Sequence, residues 1–526
     1  MLPPCPLEDR LMNPLDAAFA RDFGAVADFI RQHAIDAPAR PALADDRATL
    51  DYVALDARMD RVAAALQREG LAPGDAIAVC ANASADYAAV FLGALRAGVA
   101  VAPLAPGSAA DSLARMIRDA DARLLFLDAA GAQALGAGAG EGLPRVALEG
   151  EVPGAAPLAR WLAPEGARPA PVDTQPGWAF NIIYSSGTTG EPKGIVQSHA
   201  MRWAHVKRYR PHGFGPHTVT LLSTPLYSNT TLVLFFPTLA YGGFVRLMPK
   251  FDAGRYLELA QQLRATHTML VPVQYQRLMA HPAFDRFDLA SFHMKFCTSS
   301  PLPAPLKADV LRRWPGGMID TYGMTEGGGT VMLEAHLHPD KLHTVGRPAP
   351  GSDIRLIDEA GREVAPGEAG EVVGHSGGMM TGYHRQPEKT REAEWFAPDG
   401  KRFIRTGDIG RFDADGFLVL FDRKKDMIIS GGFNIYPSDL EAVLRRHPDV
   451  ADAAVVGIAS AQWGETPVGF VVLRADATAG EDELLQWANA QLGKTQRLAG
   501  LRRIAELPRS AIGKVLKREL RERVRG

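Results

Sequence analysis

Near the start of the chain, helix-like and strand-like segments alternate, and that order decides the fold class. Over 54–67 the apolar residues Leu55, Met59, Val62 and Leu66 fall at helical spacing, and Gly70 with Pro73-Gly74 stops the pattern. A short apolar run over 76–80 predicts a strand, 84–97 a helix and 99–103 another strand. The order recurs over 112–127, which ends in Leu124-Leu125-Phe126-Leu127. Strands separated by helices have connections long enough to cross over, so they pair in parallel under a cover of helices. A further α/β unit is expected from strands over 218–223, 243–248 and 268–271 and a helix over 254–264, while the Ala/Gly/Pro-rich tract 129–171 reads as loop and partial helix between subdomains.

After Pro348 the texture changes to short strands (354–357, 371–374, 416–421) divided by Gly, Pro and Asp turns. A charged cluster then precedes a tail of about 100 residues, enough for a modest core of its own. The tail is read as helix 437–446, strands 452–457 and 468–473, and helix 481–492. The expected class is α/β: a large N-terminal domain of layered α/β subdomains plus a small β-rich part, with a small mobile α+β C-terminal domain. The boundaries are 1–421 for the core, 422–426 for a hinge and 427–526 for the mobile domain.

Composition enters mainly by exclusion. A net charge of -2 gives no long-range pull on nucleic acid or on an anionic membrane, so an anionic ligand must be held locally. Cys5, Cys80 and Cys297 are far apart and lack metal-ligand spacing, which fits a reducing cytoplasm and no disulfide framework. No signal peptide is read at the start, and the apolar run 232–239 contains Pro237 and is too short to span a bilayer. The expectation is a cytoplasmic protein with no transmembrane segment. A homo-oligomer is compatible with these features, and so is peripheral membrane contact.

The chemistry is most legible at Tyr184-Ser185-Ser186-Gly187-Thr188-Thr189-Gly190-Glu191-Pro192-Lys193-Gly194, which follows an apolar strand-like run. Glycines let backbone N–H groups turn inward, hydroxyls add donors and Lys193 adds a mobile charge, which together grip phosphate oxygens. The mononucleotide loop of kinases and GTPases needs Gly-Lys-Ser/Thr entering a helix, and here Gly194 follows the lysine. A Gly/Ser/Thr surface linker is the plainer alternative, but it needs neither the preceding strand nor the lysine.

Further motifs follow in order: Tyr322-Gly323-Met324-Thr325-Glu326-Gly327, Thr406-Gly407-Asp408, Asp422-Arg423-Lys424-Lys425-Asp426, Ser430-Gly431-Gly432 and Gly513-Lys514. Together with the phosphate loop, the ordered set resembles the adenylate-forming superfamily of acyl-CoA synthetases, aryl-CoA ligases, luciferase-like enzymes and peptide-synthetase adenylation domains. The resemblance covers most of the chain. It implies ATP, Mg²⁺ and coenzyme A as cofactors and a small carboxylic acid as substrate.

Carried onto this sequence, the resemblance implies that Thr188, Thr189 and Lys193 embrace the β- and γ-phosphates. Thr325 donates to the α-phosphate, Glu326 holds Mg²⁺ and Tyr322 stacks on adenine. Asp408 takes the ribose hydroxyls with help from Arg423, and Ser299, Ser300, Pro301 and Asp320 join the nucleotide-binding positions. Lys514 is the catalytic lysine of the adenylation pose, Lys425 the hinge residue, and Gly431 and Gly432 line the thiol passage. Trp463 either meets the coenzyme A nucleotide or packs in a core. One position departs from the pattern: after Tyr227, Ser228 stands where a histidine is expected. The acid's carboxylate then falls to Ser228, Asn229 or His199, and the residues do not choose among them. Tyr227, Gly327 and Gly328 complete the expected pocket.

The expected function is an ATP-dependent acid–CoA ligase that forms an acyl-adenylate and then a thioester from a hydrophobic monocarboxylate, either a fatty acid or an aromatic, hydroxycinnamate-type acid. The alternatives are transfer of the acyl group to a carrier protein, a luciferase-like oxidation and a non-catalytic nucleotide-binding homologue. Against the last, Lys193, Glu326, Asp408 and Lys514 are all present, and no carrier motif is read before Gly526.

Overall fold

The computed structural model describes residues 19–136, 142–185, 192–423, 426–430, 433–460, 463–493, 496–510 and 513–525. Among these, two large sheets carry the N-terminal part. The first is eight-stranded, in the order Gly382–Tyr383, Lys193–Ser198, Ala179–Ser185, Ala100–Leu104, Ala76–Cys80, Ala122–Leu127, Arg145–Ala147 and Ala156–Pro157. Pairing is parallel from Ala179–Ser185 outward to Ala156–Pro157. The second is nine-stranded, and its strands Gly317–Tyr322, Met294–Cys297, His267–Leu270, Val219–Leu222, Phe244–Leu247 and Pro41–Ala44 are likewise parallel neighbours.

The main core lies between these sheets. Helices Tyr52–Arg68, Ala85–Arg96 and Asn229–Ala240 contribute Leu55, Met59, Phe91 and Phe236, and the sheets contribute Val79, Val101, Val245 and Phe296, all buried. Helix Ala85–Arg96 starts where the spacing predicts, because Ser84 Oγ accepts from Tyr87 N at 3.1 Å and satisfies one orphan amide. The helix then presses on its neighbour so closely that a β-carbon at Gly93 would stand 2.5 Å from Val62 Cβ. Pro237 is tolerated inside helix Asn229–Ala240, which is buried along nearly its whole length.

An antiparallel sheet of Asp353–Ile357, Gly370–His375, Arg402–Phe412, Glu394–Phe396 and Leu418–Arg423 supplies the β-rich part. Beyond it, Val450–Ser460 pairs along its length with Gly464–Leu473, and helices Pro437–Leu444 and Glu481–Gln491 close a separate core around Leu440, Leu444, Val455, Val471 and Leu484.

One expectation is corrected. The tract 129–171 is more than loop and partial helix, since Arg145–Ala147 and Ala156–Pro157 extend the first sheet by two parallel strands. Such short edge strands are set by the neighbour they join and carry no periodicity of their own. Asp408 sits inside the long strand Arg402–Phe412, where Gly407 at φ +70° leaves normal strand geometry.

Candidate active site

The glycine- and hydroxyl-rich segment expected to grip phosphate falls between two paired strands. Strand Ala179–Ser185 pairs antiparallel with Lys193–Ser198, and Ser185 stands opposite Lys193, so Lys193 is fixed at the end of the paired strands. Ser186, Gly187, Thr188, Thr189 and Gly190 lie outside the described residues, as do Lys425, Gly431 and Gly432; of Ser185 only its place in the strand is described. A strap from the first sheet's edge braces this end: His384 N donates to Gly194 O at 2.7 Å, and Gln386 Nε2 donates to Pro192 O at 3.2 Å.

The second sheet brings the other motifs to the carboxyl ends of its parallel strands, where ligands bind in open α/β sheets. Ser299 and Ser300 follow Met294–Cys297, Thr325 and Glu326 follow Gly317–Tyr322, and Thr298 Oγ1 donates to Thr321 O at 2.8 Å to lash these two ends together. Ser299 adopts φ +85°, a left-handed conformation that a residue with a β-carbon rarely takes, and its Oγ lies 2.6 Å from Thr230 Oγ1. Ser300 is half-buried, while Pro301 and Gly323 are exposed.

Glu326 is gathered with Lys193 through a residue the sequence did not single out. Tyr383 Oη donates to Glu326 Oε1 at 2.9 Å, and Lys193 Nζ lies 5.2 Å from the Tyr383 ring centre. Burial, then the neighbouring carboxylate, push the Tyr383 phenol up, so it stays a donor. Met324 packs beside Tyr383 in a small cluster with Ile195, Met380 and Ile404. At the other end, Tyr322 Oη donates to Asp408 Oδ2 at 2.8 Å and Arg423 Nε meets Asp408 Oδ1 at 3.2 Å. The residues expected at adenine and ribose are therefore already in contact.

Asp320 is buried and paired with Lys307 at 2.7 Å, which in turn donates to Thr344 O at 3.1 Å. The pair is part of the structural interior. Gly327 and Gly328 likewise serve close packing: at φ +75° and +88°, β-carbons there would stand 1.8 Å from Gly378 O and 2.7 Å from Ile404 Cβ. A leucine at Gly328 would break this packing before it could probe any pocket.

Around the departure from the pattern, Ser228 Oγ accepts from Thr230 N at 3.3 Å as the N-cap of helix Asn229–Ala240, so its hydroxyl is used by the helix. Tyr227 is half-buried and its phenol is pushed up by burial. His199 is buried edge-on to Phe180 at 5.0 Å, and its Nε2 finds no partner. Burial lowers it to about 4, so it is neutral near pH 7. Gln197, which the sequence did not flag, donates from Nε2 to Thr325 O at 2.8 Å, and fully buried Arg202 stands behind it. Both carry helix or strand spacing with no motif around them, so only proximity identifies them.

Lys514 comes from the C-terminal part. Its loop touches the large domain where helix Pro272–Met279 begins: a β-carbon at Gly513, φ +79°, would lie 3.0 Å from Val273 Cγ1. That helix follows strand His267–Leu270, which pairs with Met294–Cys297, the strand that leads to Ser299, and Gly317–Tyr322 lies one strand further on. Trp463 is 51% exposed, so the core alternative for it does not hold.

The chain matches the AMP-binding enzyme model over residues 30–384 and the AMP-binding enzyme C-terminal domain over 439–514. It belongs to the AMP-binding enzyme family. It is similar to a feruloyl-CoA synthase from Amycolatopsis sp, 32% identical over 90% of this chain and 94% of that one. A fatty acid–[acyl-carrier-protein] ligase from Streptomyces coeruleorubidus is 31% identical over 94% of this chain and 95% of that one. Among solved structures, ATP-bound MatB from Rhodopseudomonas palustris superimposes with a TM-score of 0.84 at 30% identity, covering 95% of this chain and 99% of that one. The molecule is an ATP-using, AMP-forming acid–thiol ligase. Among the described residues no group of three or more His, Cys, Asp and Glu could cage a metal, and no helix is long and apolar enough to cross a membrane. A single carboxylate, Glu326, suits Mg²⁺ that arrives with phosphate oxygens as its other ligands.

Proposed function

We propose that this ligase joins a hydrophobic monocarboxylate, aromatic or medium- to long-chain, to coenzyme A through an acyl-adenylate. The observation that carries the reading is convergence. The Asp408–Tyr322–Arg423 and Glu326–Tyr383–Lys193 groups meet the segment that ends strand Gly317–Tyr322, and the Lys514 loop touches the helix that leaves strand His267–Leu270 in the same sheet.

Asp408 and Arg423 orient the ribose, and Tyr322 bounds the adenine. Lys193 and the glycine- and hydroxyl-rich segment take the terminal phosphates. Glu326 holds Mg²⁺, which when bound neutralises phosphate oxygens. A carboxylate oxygen of the acid then bonds to the α-phosphorus as the α–β bridging P–O bond breaks and pyrophosphate leaves. Lys514 cancels charge that builds only as the two anions meet, an effect larger in the transition state than in the ground state. In the second step the thiolate bonds to the acyl carbon and AMP departs.

The likeness to a feruloyl-CoA synthase supports a hydrophobic acid. Coenzyme A as acceptor is supported by Trp463 and Ile429, 51% and 52% exposed, next to the paired residues Ser430 and Gly464. Residues 422–426 serve as the hinge. Asp422 accepts from Ser438 N at 3.0 Å and Asp426 meets Arg521 at 2.7 Å, so the far side of the hinge is anchored in the C-terminal domain. The reading includes a cytoplasmic location, supported by two buried free thiols, Cys80 and Cys297.

The test is pyrophosphate–ATP exchange with Mg²⁺, ATP and a panel of acids, without coenzyme A. Exchange is expected, and AMP release once the thiol is added. ADP with acyl phosphate would overturn the adenylate reading, and a requirement for an acylated carrier protein would overturn the acceptor.

A further inference from the structure

Arg202, on helix His199–Arg208, is fully buried, and no carboxylate pairs with it among the described residues. Its Nη2 donates to Asn181 Oδ1 at 3.1 Å, to Asn229 Oδ1 at 3.2 Å and to Gln197 Oε1, while Nη1 lies 3.4 Å from His205 Nδ1. The guanidinium sits 5.3 Å from the ring centres of both Phe180 and Phe236, and its Nε has no partner. Other titratable groups nearby do not supply an anion: His199 and His205 are held neutral by burial, Tyr209 is held protonated, and Arg208, which donates to Thr330 Oγ1 at 2.6 Å, adds a second, half-buried cation. A buried charge without a counter-charge is costly, so a fold that keeps one keeps it for something.

The hydrogen-bond directions show where that charge points. Arg202 only donates, so it turns the carbonyl ends of Gln197 and Asn229 toward itself. Gln197 therefore presents its Nε2 to Thr325 O and, at 3.4 Å, to Asn229 Oδ1. With both contacts taken by Oδ1, Asn229 turns its NH₂ away from Arg202. That amide belongs to the first residue of a 12-residue buried helix, whose N-terminal end also favours an anion.

We propose that Asn229 donates to the acid's carboxylate and that Arg202, acting through Asn229 and Gln197, is the positioning residue that makes the pocket select carboxylate over neutral isosteres. This rests on the hydrophobic-acid reading above and resolves the choice among Ser228, Asn229 and His199 in favour of Asn229. The Thr325 carbonyl is held by Gln197 Nε2, which neither variant removes.

The decisive variant is Asn229→Asp. It keeps the shape and the Oδ1 acceptor, gives Arg202 a carboxylate of its own and removes the donor. Arg202→Gln is the second variant, with the thermal midpoint of each recorded. Pyrophosphate exchange is run on acetate, malonate, benzoate, cinnamate and decanoate, and the primary amide of each acid is tested as a competitor. In both variants KM for the acid should rise about tenfold or more, the scale of one charge acting at an effective dielectric near 20. KM for ATP should stay within about twofold, on that same argument. The wild type should prefer acid to amide, and the variants should lose that preference. A preference that survives in both variants overturns the proposal, as does an equal rise in both KM values. Activity confined to acetate and malonate overturns the hydrophobic-acid reading instead, and the acid-to-amide ratio with those acids still decides the role of Arg202.

Discussion

Arg96 and Arg202 are both buried arginines on helices that pack into the same interior, yet their surroundings are opposite. Arg96 meets Asp56 at 2.5 Å and Asp60 at 2.9 Å, and Arg31 and Arg168 close on the same two carboxylates from the surface. Among the described residues Arg202 meets only neutral amides, an imidazole and two aromatic faces, and burial brings it down to about 9. The first charge is balanced within the chain and serves the fold. The second is balanced only when an anion arrives. Lys307 with Asp320 belongs to the first kind, which explains why a carboxylate adjacent to the Tyr322 motif faces the interior.

If this division is right, cations reserved for ligand should cost activity when removed, and cations balanced by the fold should cost stability. The largest effect is expected at Lys514. Lys514→Ala should slow pyrophosphate exchange by roughly 10²–10⁴, the loss seen when a preorganised transition-state charge is deleted. Thioester formation from a supplied acyl-adenylate and the thermal midpoint should hold. A midpoint lowered by several degrees would move Lys514 into the structural group.

Next comes Asp60→Asn, which strands Arg96 without full compensation. About 3–5 kcal/mol of stability should be lost in urea unfolding, as when one partner of a buried pair is removed. Exchange kinetics per folded molecule should not change. Arg202→Gln should show the reverse balance, and a stability loss there exceeding that of Asp60→Asn would break the comparison.

Buried histidines extend the comparison to pH. His199 and His267 are lowered by burial to about 4, and His205 is lowered as well. The unfolded chain takes up each proton near pH 6.5, whereas the native state resists until about 4 at His199 and His267, and His205 also resists below its ordinary range. Stability is thus fully present above pH 6.5 and drains away as pH falls toward 4, at about 1.4 kcal/mol per unit for each group. Urea midpoints between pH 7.5 and 4 should show His267→Gln with a shallower slope than wild type. Identical slopes would mean His267 titrates alike in both states.

The smallest effect is expected at Ser228. Losing a helix N-cap costs about 0.5–2 kcal/mol, so Ser228→Ala should lower the unfolding midpoint slightly and change KM for the acid far less than Asn229→Asp does. A large rise in acid KM common to all acids would make the Ser228 hydroxyl the carboxylate's partner and displace Asn229.

What was legible follows the kind of signal each residue carries. Helical spacing over 54–67 and 84–97 is a local property, and the helices Tyr52–Arg68 and Ala85–Arg96 appear within a residue or two of those limits. Dense motifs such as Tyr322 to Glu326 announce themselves because glycine, hydroxyl and carboxylate crowd a short segment. Tyr383, Gln197 and Arg202 carry no such crowding. Gln197 occupies an ordinary strand, Arg202 an ordinary helix, and Tyr383 a two-residue edge strand whose place depends on Lys193–Ser198 beside it.

By itself the sequence determined the α/β class, the separate C-terminal core and the order of phosphate, nucleotide and lysine motifs, because backbone preference and apolar periodicity act over a few residues. Only the tertiary structure decided which charges are balanced inside the chain. Asp56 and Asp60 lie 40 and 36 residues from Arg96, and Asn229 lies 27 from Arg202. Electrostatic compensation depends on distance in space and on exclusion of water, and neither can be read from separation along the chain.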